Sequence, residues 1–146
     1  AEMRFWRVAQ KPGYPLAFGT IGKTLVFGLP GNPVSTLVSY EVYVQPALLR
    51  LQGRWRVFQP VIEAVLEEPV RGGGARFQFL RGVVRRERDG YVVHTTGSQS
   101  SGVLTSLLLG NALILVPPGA PNLQRGDTVQ VQLLDPDFFA QDQVGF

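Results

Sequence analysis

The chain of 146 residues carries 14 basic and 11 acidic side chains, a formal charge of +3, and 45% hydrophobic residues, enough apolar content for a buried core and too much for a disordered tail. It has no cysteine and one histidine, His94, which excludes disulfides, thiolate nucleophiles, cysteine metal sites and histidine clusters. The basic excess comes from 12 arginines against two lysines and suits an anionic ligand, whether nucleotide, pterin phosphate or nucleic acid.

Glu2–Ala9 alternates as a strand, and Pro12, Gly13 and Pro15 break the segment after it. Ala1–Val8 carries Glu2, Arg4 and Arg7 where a signal peptide needs an apolar core, so cytoplasm is the expected compartment. Arg7 and Lys11 flank the strand's end, as a pair of cations at a loop mouth or as two solvated charges. Leu16–Phe18 and Thr24–Phe27 read as strands around a Thr20–Lys23 turn. Gly28–Gly31 ends the second strand, Asn32 is a favoured N-cap, and Pro33 suits the first position of a helix running to Gln52 and stopped by Gly53. Val34, Leu37, Val38, Val42, Val44, Leu48, Leu49 and Leu51 keep an apolar helical face, and Pro46 predicts a kink. Such a strand, glycine turn and helix start aim backbone N–H groups at one volume that favours an anion, with Ser35 and Thr36 adding hydroxyls. A tight turn with a good cap accounts for the same residues.

Arg54–Pro60 reads as a linker, after which the pattern changes to short strands. Val61–Glu68 alternates, Pro69–Ala75 is a Gly-rich turn, Arg76–Glu87 and Tyr91–Thr96 form a hairpin about Asp89-Gly90, and Ala112–Val116 and Thr128–Leu134 are strands. Gly102–Leu109 fits one short helix capped by Ser100 or Ser101. A small β-barrel or compact sheet domain is expected. The apolar stretch Val103–Val116 is interrupted by Thr105, Ser106, Gly110 and Asn111 and falls short of the ~20 residues of a membrane span. Arg71–Arg88 mixes arginines with Phe77 and Phe79 as an RNA-binding surface does. By strand parity, however, Arg81 shares the apolar face of Phe77 and Phe79, which marks it as a purposeful charge beside the exposed Arg85, Arg86 and Arg88. Ser98–Ser101 is an ordinary polar loop or a cluster of donors at a helix start. No acidic pair and no Ser-His-Asp arrangement stands out.

Six strings in order, KPGYPLAFG (Lys11–Gly19), LPGNPVS (Leu29–Ser35), QPALLRLQG (Gln45–Gly53), RFQFLRG (Arg76–Gly82), TTGSQSSG (Thr95–Gly102) and LQRGDTVQVQLLD (Leu123–Asp135), closely resemble the C-terminal part of the MoeA/gephyrin-E family of molybdopterin molybdenumtransferases. The resemblance implies α/β plus all-β architecture: residues 1–56 as the C-terminal part of an α/β molybdopterin-binding, MogA-like domain, and residues 57–146 as a small β-barrel-like domain. It implies insertion of molybdate into adenylated molybdopterin with release of AMP. Catalytic roles carry over to Lys11, Arg81 and Ser101, and ligand-binding roles to Arg7, Pro30, Gly31, Asn32, Pro33, Ser35 and Gln99. Some members have lysine where this chain has Arg7, which is not a neutral exchange. The family is homodimeric with its site near the subunit interface, and its aspartates and glutamate, with Mg²⁺, are expected upstream of this segment. A fragment without them is expected to keep part of the anion-binding surface and not to turn over alone. The alternative is a non-catalytic basic barrel that grips nucleic acid through Arg85, Arg86 and Arg88. A third reading makes the barrel a dimerisation or spacing element. No membrane partner is expected.

Overall fold

The computed structural model describes residues 1–100 and 104–140. Strands β1 (Glu2–Trp6), β3 (Ala17–Ile21) and β4 (Thr24–Gly28) form an antiparallel sheet in the order β1-β3-β4. Between β1 and β3 the chain makes a two-residue strand, β2 (Gln10–Lys11), which leaves that sheet and pairs in parallel with Phe77 and Gln78. The predicted four-residue turn after β3 is tighter, because the β3–β4 pairing runs on to Ile21 opposite Thr24 and leaves only Gly22 and Lys23 between them.

The helix follows as predicted and is continuous from Pro33 to Leu51 in three parts: α1 (Pro33–Ser39), a wide π turn (Tyr40–Val44) and α2 (Gln45–Leu51). Pro46 lacks an N–H, and its ring crowds the carbonyl four residues back. The wide turn just before it absorbs this conflict, with the Gln45 N–H reaching back to Tyr40 O. Val34 and Val38 are buried, whereas Leu37, Leu48 and Leu51 are exposed, so the apolar face read from periodicity is only half covered.

The remaining strands are β5 (Val61–Leu66), β6 (Phe77–Glu87), β7 (Gly90–Thr95), β8 (Ala112–Val116) and β9 (Thr128–Leu133). Their order β6-β7-β5-β9-β8, with β8 pairing back to β6, closes a five-stranded barrel. Closure depends on β6, which is 11 residues long. Its first half pairs with β8 as far as Gly82–Ala112, and its second half pairs with β7 from Gly82–Thr95 onward. Where it changes partner, Asn111 Oδ1 accepts from Val84 N at 2.8 Å and Nδ2 donates to Val84 O at 2.9 Å. The hairpin turn is Arg88-Asp89, with Gly90 opening β7 opposite Glu87.

Alternation sorts the side chains as expected of a barrel wall. Val84, Ala112, Ile114, Val116, Val129, Val131, Leu133, Ala64, Leu66 and Val93 fill the interior. On the outer face Phe79 and Leu113 pack with Val38 of α1, and Phe77, Val42, Leu115 and Leu134 join them. That contact fixes the helix against the barrel. The loop at Gly73 touches the β8–β9 connection so closely that a Cβ there would strike Pro117 O. The short helix α3 spans Thr105–Leu109 and starts from Leu104 without a side-chain cap, so Ser100 does not cap it, and Ser101 lies outside the described residues. No described helix is long and apolar enough to cross a membrane.

Candidate functional site

A cleft of about 570 Å³ opens between the loop after β2 and the first half of β6. Lys11, Tyr14, Ser35, Arg76, Arg81 and Gln99 are among the side chains that line it, and no aspartate or glutamate does. The sequence argument placed Lys11, Ser35, Arg81 and Gln99 at a common site, and the fold brings these four together.

Lys11 is held from below. Gln10 beside it is buried, donates from Nε2 to Pro12 O at 3.0 Å, and accepts from the Tyr43 hydroxyl at 2.6 Å. The loop therefore hangs from the wide turn of the helix. Gly13 completes the fit at φ +96°, where a Cβ would stand 2.6 Å from both Gln10 Nε2 and Ser39 Oγ. Only glycine meets both demands.

Arg81 is the largest fully buried side chain of the described residues, at 1% exposure. Nε donates to Ser106 Oγ at 3.2 Å and a terminal nitrogen to Ser100 O at 3.4 Å. No carboxylate pairs with it, nor with Lys11 or Arg76, among the described residues. Burial pushes the guanidinium below its ordinary value, yet an arginine stays charged in this range. A buried cation without a counter-ion is costly by itself and favours an anion arriving from the cleft.

Gln99 lines the cleft and also bonds the backbone of Arg81. Its Oε1 accepts from Arg81 N at 2.8 Å and its Nε2 donates to Arg81 O at 3.1 Å and to Gly97 O at 3.2 Å. Arg81 still pairs with Leu113 of β8, but β7 joins β6 only from Gly82 onward, and at Arg81 the Gln99 amide stands in for β7.

The LPGNPVS turn also differs in detail from the expected open set of N–H donors. Asn32 Oδ1 takes the Val34 N–H at 3.1 Å and the Ser35 N–H at 3.4 Å, and Thr36 turns its hydroxyl onto Asn32 O and Pro30 O. The helix start is thus self-capped. Pro30, Gly31, Asn32 and Pro33 are not part of the lining, and Ser35 represents the turn there. Gly31 borders open space, with nothing within 4 Å of its missing Cβ.

Arg7 reaches the rim rather than the cleft, with its guanidinium 4.0 Å from the Trp6 ring and 5.7 Å from the Tyr14 ring. Ser101 lies outside the described residues, next to Ser100 of the lining. Sequence reasoning missed Gln10, Tyr14, Arg76 and Gln78 as lining residues. Parity separated Arg76 from Arg81, but the start of β6 lies at a cleft rim that draws on both faces; adjacency to Lys11 was the available signal for Gln10. Nothing favours the nucleic-acid alternative. Arg85 is paired with Glu67 at 2.5 Å and with Glu87 at 3.0 Å, so the exposed strand carries mixed charge. His94 joins the same group, with Nδ1 3.3 Å from Glu67.

No group of three or more potential ligands among the described residues is arranged to hold a metal. With no acid in the lining, this donor set does not fit Mg²⁺.

Two family models match in chain order: a probable molybdopterin binding domain over residues 1–50 and the MoeA C-terminal region (domain IV) over residues 63–134. A molybdopterin molybdenumtransferase of Haemophilus influenzae is 33% identical over 134 residues, which is 90% of this chain and 33% of that protein. Molybdopterin molybdenumtransferase 1 of Mycobacterium tuberculosis is 36% identical over 140 residues, covering 91% and 33%. The crystal structure of the molybdopterin biosynthesis moeA protein of Pyrococcus horikoshii matches 90% of this chain and 32% of its own at a TM-score of 0.76 and 26% identity. A molybdenum cofactor biosynthesis protein of Pyrococcus furiosus matches 90% and 45% at a TM-score of 0.73 and 30% identity. The chain spans about a third of the length of the curated relatives it matches. With helix and barrel each matched in the order the sequence strings predicted, and joined as in the solved relatives, the chain belongs to the MoeA family.

Proposed function

We propose that this chain supplies an oxyanion-binding cleft for the insertion of molybdate into adenylated molybdopterin, with release of AMP, by the full-length protein. The observation that carries the reading is the buried Arg81, with no carboxylate partner among the described residues, facing a cleft whose described lining holds Lys11 and Arg76 and no acid. Both substrates are anionic, and fixed cations with restricted access to water stabilise such charge without reorganising during the reaction. Lys11 and Arg81 hold oxyanion groups in the cleft, and the family resemblance assigns Ser101 a role with them. Holding two reactants in one volume removes much of the entropic barrier to their meeting. Gln99 keeps Arg81 in place from behind, and Gln10 does the same for Lys11.

Mg²⁺ belongs to another part of the full-length protein, and no step is assigned to it here. A homodimer and a cytoplasmic location follow from the family resemblance. The division near residue 56 is supported by the unmatched interval between the two family models and by the change from the three-stranded sheet and helix to the barrel. The test is molybdate-dependent AMP release by the full-length protein, wild type beside Lys11→Ala and Ser101→Ala. Turnover that collapses in folded variants supports the assignment, and unaffected turnover in both removes it.

A further inference from the structure

The cleft mouth carries an arrangement that neither the sequence strings nor the family match assigns. Four side chains stack in the order Trp6, Arg7, Tyr14, Arg76. The Arg7 guanidinium lies 4.0 Å from the Trp6 ring and 5.7 Å from the Tyr14 ring, and the Arg76 guanidinium lies 4.5 Å from the Tyr14 ring. The stack has a backbone cause. Arg7 is the one non-glycine residue with positive φ among the described residues, at +70°, a conformation that costs an arginine energy and persists only where its surroundings impose it. Two hydrogen bonds impose it here: Arg7 N donates to Leu16 O at 2.8 Å, and Val8 N donates to Tyr14 O at 2.9 Å. They close the loop that sets Tyr14 beside the cleft.

With both its neighbours guanidinium groups, Tyr14 is a spacer for cations rather than a platform for a base. Arg76 immediately precedes β6 where that strand pairs with β2, lines the cleft, and has no carboxylate partner among the described residues. An exposed arginine ordinarily samples many rotamers, and stacking on an aromatic ring restricts it while leaving its N–H edge available. We infer that Arg76 is a further ligand-binding residue, which grips a tetrahedral oxyanion at the cleft mouth, and that Tyr14 is the residue that positions it. The oxyanion is a phosphate ester or molybdate. This inference rests on the oxyanion-cleft reading and adds a third cation to Lys11 and Arg81.

The test is calorimetric titration of the full-length protein with AMP and, separately, with molybdate. It compares wild type, Arg76→Ala, Arg76→Lys, Tyr14→Leu, Tyr14→Phe and, as a control on the cleft itself, Lys11→Ala. Arg76→Ala is expected to weaken one probe about tenfold, the loss of a charge-assisted contact. Loss confined to AMP identifies a phosphate ester at the mouth, and loss confined to molybdate identifies the metal oxyanion. Tyr14→Leu should weaken the same probe about threefold, the scale of an exposed cation–π contact, while Tyr14→Phe, which keeps the ring, binds as wild type. Arg76→Lys falls between wild type and Arg76→Ala, because it keeps the charge and loses the planar fork. Because Arg76 is exposed, its variants keep the test decisive even if Tyr14→Leu does not fold. If Lys11→Ala loses binding and folded Arg76→Ala binds both probes as tightly as wild type, this inference fails and the cleft reading stands. If wild type binds neither probe, both fail.

Discussion

Replacing Arg81 with methionine separates binding from stability. Arg81 is 1% exposed, and its guanidinium has no carboxylate partner among the described residues and donates to Ser106 Oγ at 3.2 Å and Ser100 O at 3.4 Å. Burying a charge costs several kcal/mol even after relaxation, against about 1.5–3 kcal/mol for each hydrogen bond from a charged donor. Both contacts here are long, so they offset the penalty incompletely. Methionine keeps most of the volume without the charge, and exchanges of buried ions for apolar groups of similar size run from neutral to a gain of about 4 kcal/mol. A gain of about 1–2 kcal/mol is therefore expected for Arg81→Met. Urea unfolding of the full-length protein reads it, with and without AMP or molybdate. Ligand at about 100 times its dissociation constant should add about 2.7 kcal/mol to the wild type and almost nothing to Arg81→Met. A variant that loses more than about 2 kcal/mol and still gains stability from ligand would show that Arg81 is structural and refute the reasoning.

Glu41 gives a pH signature. Its Oε2 is buried without a hydrogen-bond partner among the described residues, beside a cavity of about 220 Å³ lined by Leu37, Val38, Leu107, Leu113 and Leu134, and burial raises its carboxyl above the ordinary 4.5. The stability this group contributes is full below pH 4.5 and is lost as pH rises through the raised folded value, because above 4.5 the unfolded carboxyl ionises first. Glu41→Gln should thus gain on wild type as pH rises from 4 to 7, and parallel stability curves would contradict the burial argument. Asn111→Ala removes two hydrogen bonds to the Val84 backbone where β6 changes partner, and a loss of about 2–4 kcal/mol is expected in urea unfolding. A loss below about 0.5 kcal/mol would mean that water replaces the amide.

What the sequence made legible was local. Asn32 and Pro33 mark the helix start because capping needs only neighbouring residues, and the observed bonds from Val34 N and Ser35 N to Asn32 Oδ1 follow. The self-capping that closes those donors to a ligand is the same chemistry read one step further. Arg81 was legible from alternation, because a charge on the face of Phe77 and Phe79 has to be buried for a reason. The barrel was expected from its run of short strands, but the strand order that closes it was not legible, since β6 serves β8 and β7 in turn and β5 pairs with β7 in parallel, which no hairpin signal encodes. The bond of Gln99 to the backbone of Arg81, 18 residues away, was not legible, because no side-chain pattern points there. Periodicity marked Leu37, Leu48 and Leu51 as one apolar face but carried no information on what packs there, and these leucines are exposed.

A crystal structure of the full-length protein with AMP and molybdate tests the central claim most directly. The account predicts a phosphate or molybdate group in the cleft between the Lys11 loop and β6, with its oxygens within hydrogen-bond distance of the Lys11 ammonium and the Arg81 guanidinium. An ordered ligand bound elsewhere, with this cleft holding only water at saturating concentration, would contradict it.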